Sequence, residues 1–223
     1  MTVGAPRALR PSAISLVYRH AWSRYSTVHL VFDIFQGIGV AAAVGVRPFL
    51  PALAVGALAA GDIQIDFAHS SYSFLQGEPF LILMVFGVAL LGLAERLVSR
   101  EALSQRSAIL LLAAVSIVIG ALLFGGSLAR GHFLVWPGLV GGAVCAAIGV
   151  LATRPLLTRV RARLDDQAAG ALPLFTEAAA LIAAVLSVVA PPIGVIVMAL
   201  LLWLLYAGRR RGDRKYAGLR ILR

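Results

Sequence analysis

Four polar residues of this chain stand inside or at the edge of strongly apolar runs: Asp33, Gln36, Arg47 and Glu177. A charge held at mid-bilayer costs about 2.5–3.5 kcal/mol on insertion scales, so such a side chain takes a partner or faces water. Gln36 follows Asp33 by one turn and would extend a polar pocket if both point inward. Asp33 and Arg47 fall on similar faces of one helix but about 21 Å apart along it, too far to pair directly. A pair between Arg47 and Glu177, from the other half of the chain, is sterically reasonable. The plainer alternative keeps Asp33 and Glu177 near the cytoplasmic interface and lets Arg47 snorkel outward. Arg47 is followed at once by Pro48, and then by Pro51. Proline removes a backbone donor and disfavours helix at the residue before it. In a membrane, such a break must be covered by protein or face a water-filled cavity.

Catalytic chemistry finds no foothold. His20, His29, His69 and His132 are scattered among different segments, with no HExxH, paired-His or Ser/His/Asp arrangement. Cys145 is the only cysteine, which excludes an intrachain disulfide and a cysteine-based metal site. The chain is therefore read as a non-enzyme with no metal and no cofactor.

The elements that must position these residues follow from composition. The chain is 60% hydrophobic and 13% charged, with a mean hydropathy of +0.91, far more apolar than a soluble domain. Its apolar runs are continuous rather than alternating, which selects helices over a barrel. Crossings are expected at Val28–Gly61, Phe80–Ala94, Ala108–Leu128, His132–Ala152, Ala171–Ala190 and Ile193–Ala207; several approach or exceed the roughly 20 residues that span a core of about 30 Å, and Val28–Gly61 is too long for one upright helix. The fold class is thus all-α, a polytopic transmembrane bundle of about six passes with its first pass broken at Arg47-Pro48. The picture for that pass is one helix to about Val46 and a half-helix from Leu53 to Ala60, with a single kinked helix as the alternative.

The net charge of +10 is unevenly spread. Arginines cluster at 7–24, 96–106, 154–163 and 209–223, while 62–78 carries Asp62, Asp66 and Glu78 and no base. This is the pattern of basic loops on the cytoplasmic side, and it argues against nucleic acid as a partner. With both termini cytoplasmic, every arginine cluster falls inside and only Arg130 lies in an outer loop. The bacterial inner membrane is the expected location. No cleavable leader is expected, because the Ala57-Leu58-Ala59 motif lies too far from the start. Residues 1–27 read as a basic interfacial segment, since Ile14, Val17, Tyr18, Ala21, Trp22 and Tyr25 form a helical stripe opposite Arg19 and Arg24. Such a segment would rest on an anionic cytoplasmic leaflet. Residues 28–207 form the membrane domain and 208–223 a basic tail.

Two segments read as near-copies, Gly37 to Pro48 and Gly141 to Pro155. Gly37, Ala41 and Gly45 recur as Gly141, Cys145 and Gly149, and each copy ends in Arg-Pro. Six passes would make the two halves inverted repeats, as in several transporters. Four-residue spacing also aligns Gly37, Ala41 and Gly45 on one helix face, and Gly138, Gly142 and Ala146 on another. Such stripes let backbones approach closely and are read as helix packing before substrate contact.

The stretches GIGVAAAVGVRPFLPALAVGALA, ALPLFTEAAALIAAVLSVVAPPIG and RKYAGLRILR resemble the bacterial membrane proteins grouped as domain of unknown function 4126, over most of the chain from about Phe32 onward. The resemblance implies a multi-pass membrane protein and carries over no functional residues. Two functions remain in view. One is transport or translocation of a small solute, ion or lipid near the Arg47 break. The other is a non-catalytic accessory or scaffold subunit, as a homo-oligomer or within a larger membrane complex.

Overall fold

The computed structural model describes residues 13–68, 70–97 and 106–217, with side chains for 29–68, 70–95, 97, 106–165 and 168–209. The aromatic stripe expected before residue 28 and the end of the basic tail lie outside the described side chains. Among the described residues seven α-helices follow one another: α1 (Ala13–Val46), α2 (Phe49–Ala60), α3 (Glu78–Leu97), α4 (Arg106–Arg130), α5 (Val135–Arg161), α6 (Asp166–Val189) and α7 (Pro192–Ala217). Six contain stretches long and apolar enough to cross a membrane: His29–Val46, Glu78–Glu95, Arg106–Arg130, Val135–Arg161, Ala168–Val189 and Pro192–Arg209. Large apolar side chains such as Ile82, Phe86, Leu111, Trp136 and Leu174 point outward, as a lipid-facing surface requires.

The central post of the bundle is α1. Val40 to Val44 are at most 1% exposed, because small residues let four other helices close around them. The helix stops where Pro48 cannot continue it. Arg47 N–H still donates to the Ala43 carbonyl at 3.2 Å, and Pro48 already has helical dihedrals as the residue opening α2. Pro51 falls in the first turn of α2, where its missing donor would have had no intrahelical partner.

The chain reverses at this break. Just past α2, the Gln64 carbonyl accepts from Arg130 Nη1 at 2.8 Å, and Arg130 Nη2 pairs with Asp33. Asp33 lies about 21 Å back along α1 from Arg47, so α2 runs antiparallel to α1. At about 18 Å, α2 is too short to span the bilayer alone. The segment 61–77 completes the return and is anchored by three side chains: Ile65, Phe67 and Leu75 are buried in the same core as Val40, Val55 and Val188, while Gly61 to Gln64, Ser71, Ser73 and Phe74 are exposed. The Phe67 N–H, bonded to Gln76 Oε1 at 2.7 Å, ties this segment to itself.

The break expected at Arg47-Pro48 is present, with α1 ending at Val46 and the shorter helix opening at Phe49; because that helix turns back, two other expectations change. The start of the His29–Val46 span and the end of α7 consequently lie at opposite ends of the bundle, not on one side, because α2 adds a traverse. The near-copies are parallel, not inverted: α5 starts at the Asp33 end and runs, like α1, toward the Arg47 end. A Cβ on Gly45 would meet the Ala146 backbone, and one on Gly149 would meet Ala42 and Gly45. The second Arg-Pro also differs from expectation. Arg154-Pro155 opens no loop; Pro155 lies inside α5, which continues to Arg161.

Candidate functional site

Four elements meet at the Arg47 end. Because α1 stops there, the Arg47 side chain leaves the helix tip and reaches across to α3 and α6. Its Nη1 donates to Glu95 Oε1 at 2.7 Å. Its Nε donates to Thr176 Oγ1 at 3.2 Å and lies 3.7 Å from Glu177 Oε1. The Thr176 hydroxyl spends its own hydrogen on the Pro173 carbonyl at 2.8 Å, which leaves its oxygen free to accept from Arg47. The three charged side chains are mostly covered, Arg47 at 14%, Glu95 at 28% and Glu177 at 21% exposure. Among the described residues, Glu177 Oε2 is buried without a hydrogen-bond partner.

Beside this network lies a cavity of about 130 Å³ whose walls include Arg47, Pro48, Ser116, Thr153, Arg154 and Leu157. It has room for about four waters at liquid density. Both hydroxyls are tied to their own helices, Ser116 Oγ to the Leu112 carbonyl at 2.8 Å and Thr153 Oγ1 to the Gly149 carbonyl at 2.7 Å. Arg154 Nη2 donates to the Ile109 carbonyl at 2.5 Å. The two Arg-Pro endings thus converge on one space, because their helices run side by side in the same direction. The second copy carries three more residues before its Arg-Pro, Leu151-Ala152-Thr153, and the two endings still line the same space.

Asp33 and Gln36 are not part of this group. They lie at the other end of α1, each 2% exposed. Asp33 Oδ1 is held by Arg130, which also holds the Gln64 carbonyl. Gln36 Nε2 is buried with no partner among the described residues. Gly131 packs closely beside Asp33: an added Cβ would come within 2.8 Å of Asp33 Oδ2 and 2.5 Å of the Phe133 ring.

The structure therefore brings Arg47 and Glu177 together, as the sequence allowed, and keeps Asp33 and Gln36 apart from them. Glu95 does not stand out in the sequence and Arg130 falls in an expected outer loop; each is an ionic partner of a candidate residue, Glu95 of Arg47 and Arg130 of Asp33. Their position at the end of an apolar run looks the same whether they anchor a helix or reach inward. The small-residue stripes sit at helix contacts. An added Cβ would meet the Phe124 ring at Gly37, the Ala146 carbonyl at Gly45, Gly125 and the Phe124 carbonyl at Gly138, and the Gly120 carbonyl at Gly142. Ala41 and Ala146 are fully buried.

Fold and composition define a polytopic α-helical membrane protein with a broken first hairpin. The chain belongs to the family described as Domain of unknown function (DUF4126), whose model matches residues 34–211. Comparisons with curated proteins and with solved structures return no match.

Proposed function

We propose that this protein moves a small solute, ion or lipid through a site at the α1–α2 break. The observation that supports this reading is the setting of Arg47. An arginine that only marks a membrane boundary extends its head toward water. Arg47 instead turns inward to two carboxylates and a hydroxyl on two other helices, beside a cavity and at the tip of a helical hairpin. Irregular backbone and a mostly covered charge network at one membrane level are costly, and they recur where a transporter binds its cargo. The network also joins the hairpin, α3 and α6, so exchanging one of its ionic contacts for a ligand would couple binding to helix movement.

The test is uptake into liposomes containing the purified full-length chain, run against a panel of radiolabelled inorganic ions, amino acids and organic acids, with fluorescent lipids for scrambling. At least one member should move, and Arg47→Ala should abolish its flux. An unchanged flux in that variant would remove Arg47 from the mechanism. Absence of any flux, together with a stoichiometric partner retained in gentle detergent, would favour the accessory-subunit role.

A further inference from the structure

We infer that the cavity at the Arg47 end binds an oxyanion, a phosphate or carboxylate group, clamped between Arg47 and Arg154. The inference rests on the reading that the break is the working site, and it names the chemical class taken there. Arg47 and Arg154 line the cavity with Ser116 and Thr153, and no acidic residue lines it. Glu95 and Glu177 engage Arg47 without lining the cavity itself. Among the described residues Arg154 has no acidic partner; its guanidinium donates to the Ile109 backbone carbonyl. A guanidinium carries five N–H donors, and the contacts above occupy two nitrogens of Arg47 and one of Arg154. Unused donors therefore remain on both arginines.

Arg154 is thus a cation on this wall that no carboxylate neutralises among the described residues, and an anion beside it is attracted without that competition. Forked guanidinium donors match the paired oxygens of carboxylate and phosphate. The amino-terminal end of α2 opens at Pro48 on the same wall, and its dipole adds attraction of the same sign. Glu95, the more exposed of the two carboxylates and held by a single 2.7 Å contact, is the group an incoming oxyanion would displace from Arg47. The same chemistry is presented by a free oxyanion and by the headgroup of an anionic lipid.

The experiment uses the full chain purified in a neutral detergent. One arm titrates inorganic phosphate by calorimetry, and the other follows retention of phosphatidylglycerol against phosphatidylcholine by native mass spectrometry. At least one probe should bind saturably, phosphate alone indicating a free oxyanion and phosphatidylglycerol alone a lipid headgroup. Arg154→Gln should weaken that binding at least about tenfold, the loss expected for a hydrogen bond to a charged group. Should that variant fail to fold, Ser116→Leu decides the matter: it keeps both arginines, adds bulk to the cavity wall and should weaken binding similarly. No binding of either probe, or binding unchanged in both variants, overturns the inference. Arg154-dependent binding without flux of any solute would refute the transport reading and leave this one standing; flux without such binding would do the reverse.

Discussion

Replacing Gly45 by alanine tests the seam on which the two parallel copies meet. A Cβ at this position would lie 2.3 Å from the Ala146 carbonyl oxygen and 2.9 Å from that residue's Cα and carbonyl carbon. Ordinary contact begins at 3.4 Å, so α1 and α5 must part by about 1 Å, and no rotamer change helps because every obstacle is backbone. Overpacking a well-filled core costs about 1–3 kcal/mol, and a backbone clash belongs at the upper end of that range. Alanine recovers about 1 kcal/mol over glycine in a helix. The net loss for Gly45→Ala is therefore about 2 kcal/mol. Gly92→Ala is the control, because nothing lies within 4 Å of its added Cβ; it should be neutral or gain up to about 1 kcal/mol. Reversible unfolding in mixed micelles measures both, with circular dichroism as the signal. A midpoint for Gly45→Ala equal to that of Gly92→Ala would mean that α1 and α5 do not touch here.

Three further outcomes follow from the ionic contacts and the anchored loop. Arg130→Ala strands the carboxylate of Asp33, whose side chain is 3% exposed, and should cost about 3 kcal/mol of stability; adding Asp33→Asn should recover part of it in the same assay. Phe67→Ala removes a fully buried ring from the 61–77 segment and should cost about 3–5 kcal/mol. Double-mutant cycles of Arg47→Gln with Glu95→Gln and with Glu177→Gln should give a coupling of about 1 kcal/mol for the first and about half of that for the second, following contact distances of 2.7 and 3.7 Å. Equal or reversed couplings would contradict the assigned geometry.

Much of the architecture was legible in the chain because lipid leaves few options. Continuous apolar runs fix where helices cross, and Pro48 marks where α1 stops. The direction taken after Pro48 was not legible. A proline ends a helix without saying whether the next one continues or turns back, and here the decision lies in long-range contacts such as Arg130 with Asp33 and Gln64. That choice propagates: it places the ends of the bundle on opposite sides and turns inverted copies into parallel ones. Pro155 shows the same limit from the other direction, since a proline with equal local chemistry is absorbed within α5. For the site, residue type and membrane cost singled out Arg47 and Glu177. Glu95, Thr176 and Arg154 acquire meaning only once α3, α5 and α6 are set beside the break.

The claim on which the rest depends is that the chain turns back at Arg47-Pro48 and so brings Arg47 among the carboxylates of α3 and α6. A spin-label distance between cysteines placed at Ile63 and Leu134, both exposed, in a Cys145→Ser background tests it most directly. With α2 folded back, both labels sit at the Asp33 end, and their separation is set by lateral helix spacing, about 20 Å for two neighbour steps. If α2 instead prolonged α1, Ile63 would lie about 40 Å from that end along the bundle axis. A distribution centred near 20 Å is the predicted result, and one centred near 40 Å would contradict the hairpin and the site built on it.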